Sequence, residues 1–142
     1  MTEQDFSRRL VIVVRKDLEG WQIANTIAHI SAYIGNKLKD SFGTGESFTF
    51  TDGVEIPRNS QYPMIIKAAE NAEQVKEAFD LARQEGLLSI GFIREMIDCK
   101  GDEQIETILK SKTYSDAELL GFGVFGENEQ IKSLTKKFSL WK

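Results

Sequence analysis

Five consecutive apolar residues, Leu10–Val14, stand between arginines in the segment RLVIVVR, and four of the seven positions are β-branched. A run this short and this uniformly apolar reads as a β-strand covered on both faces, because a half-exposed strand alternates apolar and polar positions. A strand buried on both sides must sit inside a sheet with further layers above and below it. The remaining segments supply them. The turn KDLEG leads into a helix over about Trp21–Lys39, whose apolar stripe is read as Ala24, Ile27, Ala28, Ile34 and Leu38 with Ser31 between. Beside it runs a polar stripe of Gln22, Asn25 and His29 at i, i+3 and i+7.

The next segments alternate in type. DSFGTGE is loop-like, and SFTFTDGVEIP reads as a small hairpin turning at Asp52-Gly53. Tyr62–Ala68 is a second core strand. Asn71 is placed to cap a helix over Ala72–Glu85 with Val75, Phe79 and Ala82 inward, and Gly86 is placed to stop it. Leu87–Arg94 is a third strand, and Ile105, Ile108 and Leu109 mark a helix after an acidic stretch. Leu119–Phe125, Glu127–Lys132 and Phe138–Trp141 read as strand, short helix and edge strand. Strands alternating with helices predict one α/β layered sandwich, with a mixed sheet of four to five strands and helices on both faces. With 142 residues the chain suits one domain, residues 1–142.

Composition narrows the function classes. A net charge of −4 is unhelpful for a partner held chiefly through phosphates. Arg8, Arg9, Arg15 and Lys16 around the first strand, and Lys132, Lys136, Lys137 and Lys142 near the end, read as a local basic patch or as solubilising charge. The longest apolar run falls far short of the ~20 residues that span a bilayer. MTEQDFSRR lacks the order of a secretory signal, so a cytoplasmic protein is expected. The single cysteine, Cys99, allows neither an intrachain disulfide nor a multi-cysteine metal site, and the single histidine, His29, has no second imidazole for a metal site. No metal and no cofactor are expected.

Three motifs bear on chemistry. Gly121, Gly123 and Gly126 in GFGVFG match the dinucleotide pattern G-x-G-x-x-G. Too little chain follows for the second half of a βαβ unit, so close packing of the strand against a neighbour is the better reading. Glu95, Asp98, Asp102 and Glu103 follow the third strand, at the sheet edge where α/β proteins bind ligands. They read either as acid/base groups or as acidic decoration of a helix N-terminus. Cys99 lies between Asp98, which raises a thiol pKa, and Lys100, which lowers it, with no base identified for a nucleophile.

VIVVRKDL followed by a helix with Ala24 and His29 resembles the opening of the type-two peptidyl-tRNA hydrolases, a strand ending R-x-D-L and a helix G-K-x-A-A-Q-x-x-H. Arg15, Asp17, Leu18, Ala24 and His29 match. MIIKAAENAEQVKEAFDLARQEGLLSIGFI and ELLGFGVFGENEQIKSLTKKFSLWK resemble the later segments, so the likeness spans nearly the whole chain. The family's helix lysine falls on Gln22, its helix glutamine on Thr26 and its second alanine on Asn25. Its D-A-G-x-T becomes Glu95-Met96-Ile97-Asp98-Cys99. A neutral glutamine hydrogen-bonds but supplies no positive charge for a phosphate or oxyanion. The chain is more closely similar to an uncharacterised bacterial family of this fold, through Asp17-Leu18 with Trp21-Gln22 and Asn25, Arg94-Glu95-Met96, and Leu134-Thr135-Lys136.

The resemblance implies a peptidyl-tRNA hydrolase type-two-like fold. Two functions follow as expectations. One is a binding or regulatory domain for a small polar ligand, using Asp17, Gln22, Asn25 and Thr26. The other is a hydrolase of an ester or amide, in one version peptidyl-tRNA, with Glu95 and His29 as catalytic residues. A homodimer is the default expectation from the hydrolases, tRNA is disfavoured by the acidic charge, and no membrane partner is expected.

Overall fold

In the computed structural model, which describes residues 4–142, RLVIVVR lies in the middle strand of a five-stranded sheet. In chain order the elements are β1 (Arg8–Arg15), α1 (Gly20–Leu38), a 3-10 turn (Lys39–Phe42), the hairpin strands β2 (Phe48–Thr49) and β3 (Glu55–Ile56), and β4 (Met64–Ala69). Then come α2 (Ala72–Gln84), β5 (Leu88–Ile93), α3 (Arg94–Asp98), α4 (Asp102–Leu109), a second 3-10 turn (Tyr114–Asp116), β6 (Leu119–Glu127), α5 (Asn128–Thr135) and β7 (Ser139–Leu140). The first three residues of the MTEQDFSRR segment lie outside the described residues.

The sheet order is β5-β6-β1-β4-β7. β1 runs parallel to β4 and antiparallel to β6, and β5 and β7 are antiparallel to their neighbours, so the sheet is mixed. The apolar run of β1 feeds both sides of it. Val11 and Val13 pack with Val75, Ala78 and Ala82 of α2 and with Ile131 and Leu134 of α5. Leu10, Ile12 and Val14 pack on the other face with Ile30 and Ile34 of α1. All five strand residues are at most 1% exposed, and burying such side chains stabilises by roughly 1.5–3 kcal/mol each. Local signals hold where expected. Asn71 Oδ1 accepts the Gln74 N–H at 3.0 Å as the cap of α2. Gly86 follows that helix with φ of 70°, the left-handed conformation that suits glycine.

The GFGVFG glycines serve packing. Gly121 and Gly123 lie two apart on β6 and face α1. A Cβ at Gly121 would stand 2.7 Å from the Val13 carbonyl oxygen and 3.1 Å from Thr26 Cγ2, and one at Gly123 would collide with Ile30 Cγ2. Two strand residues advance about 6.6 Å and four helix residues about 6 Å, so glycines at i, i+2 accept side chains at i, i+4.

This contact shifts the buried stripe of the first helix: Ile34 is buried and Ile27 and Leu38 pack on the core as expected, but the stripe's centre moves. Thr26 and Ile30 are fully buried, whereas Ala24 and Ala28, read above as core, are exposed. Alanine on a helix is compatible with either side. The paired glycines across the sheet choose the side, and local periodicity does not contain them. Two further differences are smaller. β4 starts at Met64 and runs to Ala69, because β1 pairs with it from Leu10↔Met64 to Arg15↔Ala69. The third strand ends at Ile93, and Arg94, expected as its last residue, opens the short helix α3 over Arg94–Asp98, whose other residues the sequence assigned to no element. Among the described residues no helix is long and apolar enough to cross a membrane.

Candidate functional site

The residues singled out by sequence disperse over several environments. Asp17, just past β1, is held by the guanidinium fork of Arg15, with Nε to Oδ1 at 3.0 Å and a second nitrogen to Oδ2 at 2.9 Å. Arg15 also donates to Glu118 Oε2 at 2.7 Å, and Arg94 donates to the same oxygen at 2.8 Å. The Arg15 fork holds the Asp17 carboxyl below its usual range. Arg94 first, then Arg15, does the same for Glu118. The chain Asp17–Arg15–Glu118–Arg94 thus ties the ends of β1 and β5 to the start of β6 with its charges mutually satisfied.

Gln22 belongs to the start of α1. Its Oε1 accepts the Glu19 N–H at 3.1 Å, the reciprocal half of a capping box, and the Trp21 indole donates to Glu19 Oε2 at 2.8 Å. Asn25 is exposed on the same helix. Thr26 points the other way, into the sheet, and its buried hydroxyl finds no hydrogen-bond partner among the described residues. The polar stripe is therefore split: Gln22 caps, Asn25 faces outward and His29 packs on Phe92, while neighbouring Thr26 is core.

Glu95 occupies the second position of α3 and is 6% exposed. Its Oε2 lies 3.6 Å from Lys112 Nζ, and its buried Oε1 has no hydrogen-bond partner among the described residues. Cys99, half-buried, is the residue that ends α3. Among the described residues no group of three or more His, Cys, Asp or Glu is arranged to hold a metal ion.

His29 alone of the six predicted site residues lines a substantial cleft. Its ring packs on Phe92, with centroids 5.3 Å apart and planes inclined at 32°. From that pair opens a groove of about 420 Å³, walled by Tyr33, Ile90, Met96 and Ile105 and rimmed by Asp102 and Glu106. A volume of that order is usual for small-molecule sites. Four elements build it. Tyr33 stands one helical turn beyond His29 on α1, Ile90 and Phe92 share one face of β5 at i, i+2, Met96 comes from α3, and Asp102, Ile105 and Glu106 come from α4. Asp17, Gln22, Asn25, Thr26 and Glu95 are not among its walls. The acidic stretch was noticed in the sequence, and Asp102 does begin a helix there. The groove partners Tyr33 and Glu106 were missed, although each lies four residues from a residue already singled out.

A second cleft, about 390 Å³, lies at the β4–β7 edge beside Phe138, Trp141 and Lys137. Its polar wall is already occupied by the Lys16–Glu70 ion pair at 2.8 Å. The His29 groove is the better binding site because its walls are apolar and aromatic while its few polar groups converge on the opening.

Comparison with known proteins leaves activity open. No curated protein matches the chain. A solved structure titled as a protein of unknown function, Atu0240 from Agrobacterium tumefaciens strain C58, superposes with a TM-score of 0.83 over 97% of this chain and 100% of that one, at 18% identity. That likeness is one of fold. A family profile described as "Protein of unknown function (DUF2000)" matches residues 8–142, and with that span the chain belongs to this family, for which no activity is assigned.

Proposed function

We propose that the chain is a small-molecule-binding domain whose site is the groove between α1, β5, α3 and α4. The observation that carries this is the His29–Phe92 pair opening into a cleft whose walls are apolar and whose rim holds two carboxylates. Such a cleft grips an apolar body by burial and orients it through a few polar groups. Asp17 and Gln22 serve the scaffold in this reading, since Arg15 and the Glu19 N–H occupy them.

The scaffold itself is proposed to be of the peptidyl-tRNA hydrolase type-two-like kind. The R-x-D-L strand end, the helix histidine and the matching later segments support that reading. Hydrolysis by Glu95 and His29 is the competing function it carries. Weighing against hydrolysis are the burial of Glu95, its pairing with Lys112, its absence from the walls of the His29 groove, and Gln22 in the lysine position. The same resemblance carries the proposal of a homodimer, which sedimentation velocity checks directly.

A thermal-shift screen of a chemically diverse fragment set tests the binding reading, since a ligand at ~100 times its dissociation constant adds ~2.7 kcal/mol of stability. The control is Ile105→Trp, which fills the groove from a half-buried position on α4. Fragments that stabilise the wild type should lose their effect in that variant. Fragments that stabilise both proteins equally bind elsewhere and would remove the groove from the proposal. Peptidyl-tRNA turnover by the wild type, abolished in Glu95→Gln, would favour the hydrolase.

A further inference from the structure

The rim of the groove carries a charge arrangement that specifies its occupant. Asp102 and Glu106 are four residues apart on α4, and both line the groove, so two like charges face the same space one helical turn apart. Such a pair disfavours its own helix. The helix dipole accounts for Asp102, which is in the first turn, but the dipole's influence fades beyond that turn and does not reach Glu106. Among the described residues neither carboxylate has an ion-pair or hydrogen-bond partner. Cations lie nearby in sequence, yet Lys112 pairs with Glu95, and neither Lys100 nor Lys110 pairs with the rim.

We propose, resting on the binding reading above, that the groove takes a monovalent organic cation: a protonated amine carrying an aryl or branched alkyl body. The ammonium sits at the Asp102–Glu106 rim, where one positive charge relieves the repulsion between two negative ones. The body lies on Ile90, Phe92, Met96 and Ile105. One face of Tyr33 already receives the Lys37 ammonium, 5.4 Å from the ring centroid, so the carboxylates rather than Tyr33 hold the ligand's charge. The same carboxylates turn away anions, because an anionic ligand would have to bring its charge against both of them. The groove therefore selects against phosphates and carboxylates of similar shape.

The test uses three probes of one shape and different charge: 2-phenylethylamine, 2-phenylethanol and phenylacetate. Each is titrated into the full chain near neutral pH while the amide and side-chain resonances of His29, Phe92 and Ile105 are followed by NMR. The amine should bind roughly tenfold more tightly than the alcohol, the scale of one charge-assisted contact, and phenylacetate more weakly than both. In the double variant Asp102→Asn, Glu106→Gln the amine's preference over the alcohol should fall to within about twofold. Both substitutions are on exposed positions, and an unchanged spectrum away from α4 verifies the fold. Equal or tighter binding of the alcohol or of phenylacetate at these resonances overturns the cation assignment and leaves the groove as a site. An amine preference that survives the double variant also overturns it. Absence of any shift at His29, Phe92 and Ile105 with all three probes overturns the binding reading itself.

Discussion

At the residue scale, single atoms decide how closely α1 approaches the sheet. Gly121→Ala would drive a Cβ against the Val13 carbonyl, which is backbone and has no rotamer to change, while Gly123→Ala meets the Ile30 side chain. Overpacking of this kind costs about 1–3 kcal/mol. Urea denaturation should show Gly121→Ala as the more damaging of the two, and Ile30→Ala should recover part of the Gly123→Ala loss but none of the Gly121→Ala loss. Equal rescue of both would mean that the helix moves as a body. Glu95 offers a second case. Its carboxylate is buried beside Lys112, which is itself 38% exposed. Removing the lysine leaves a buried charge with less compensation, at a cost of about 1 kcal/mol after allowance for solvent around the Lys112 amine. Lys112→Ala should therefore destabilise the wild type and leave a Glu95→Met background unaffected, a double-mutant cycle readable from denaturation midpoints.

Elements are joined at the strand ends by the Asp17–Arg15–Glu118–Arg94 chain. Both carboxyls have their pKa values lowered in the folded protein, Asp17 by the Arg15 hydrogen bonds and Glu118 first by Arg94. A lowered folded-state value means that the unfolded chain binds protons more readily. The contribution to stability is therefore complete above the ordinary carboxylate range and is lost as pH falls through the lowered values. Glu118→Gln should lower the neutral plateau of a stability–pH curve and flatten its acid limb by the same amount, a small one because both carboxylates are more than a third exposed and their pairs are correspondingly weak. A wild-type acid limb reproduced in the variant would show that other carboxyls dominate. The elements that sequence made legible are those whose signals are local: the all-apolar β1, α2 between Asn71 and Gly86, and the glycine-marked β6. α1 was legible as a helix, but the choice of Thr26 and Ile30 over Ala24 and Ala28 depended on glycines nearly a hundred residues away. The candidate site was less legible for the same reason. His29 is one wall, and its opposite walls come from β5, α3 and α4, which only the folded sheet brings alongside.

Across the whole molecule the mixed sheet buries its middle strand between two helical layers, as RLVIVVR requires, and the site grows on one flank of it. The strand order has a consequence for how the chain reaches this state. β1 is flanked by β4 on one side and by β6, near the other end of the sequence, on the other. Pairings between such distant segments form late, because closing a long loop costs entropy before any contact rewards it. During synthesis Leu10–Val14 therefore wait, fully apolar and half-partnered, until residues 119–127 have left the ribosome. A fragment ending at residue 113 should be insoluble or chaperone-bound, and adding a synthetic peptide of residues 114–142 during refolding should restore the far-ultraviolet circular dichroism of the intact chain. A soluble, folded 1–113 fragment would mean that β1 can be covered without its distant partner. Refolding of the full chain should accordingly be slow for its size, with the rate set by the meeting of its two ends.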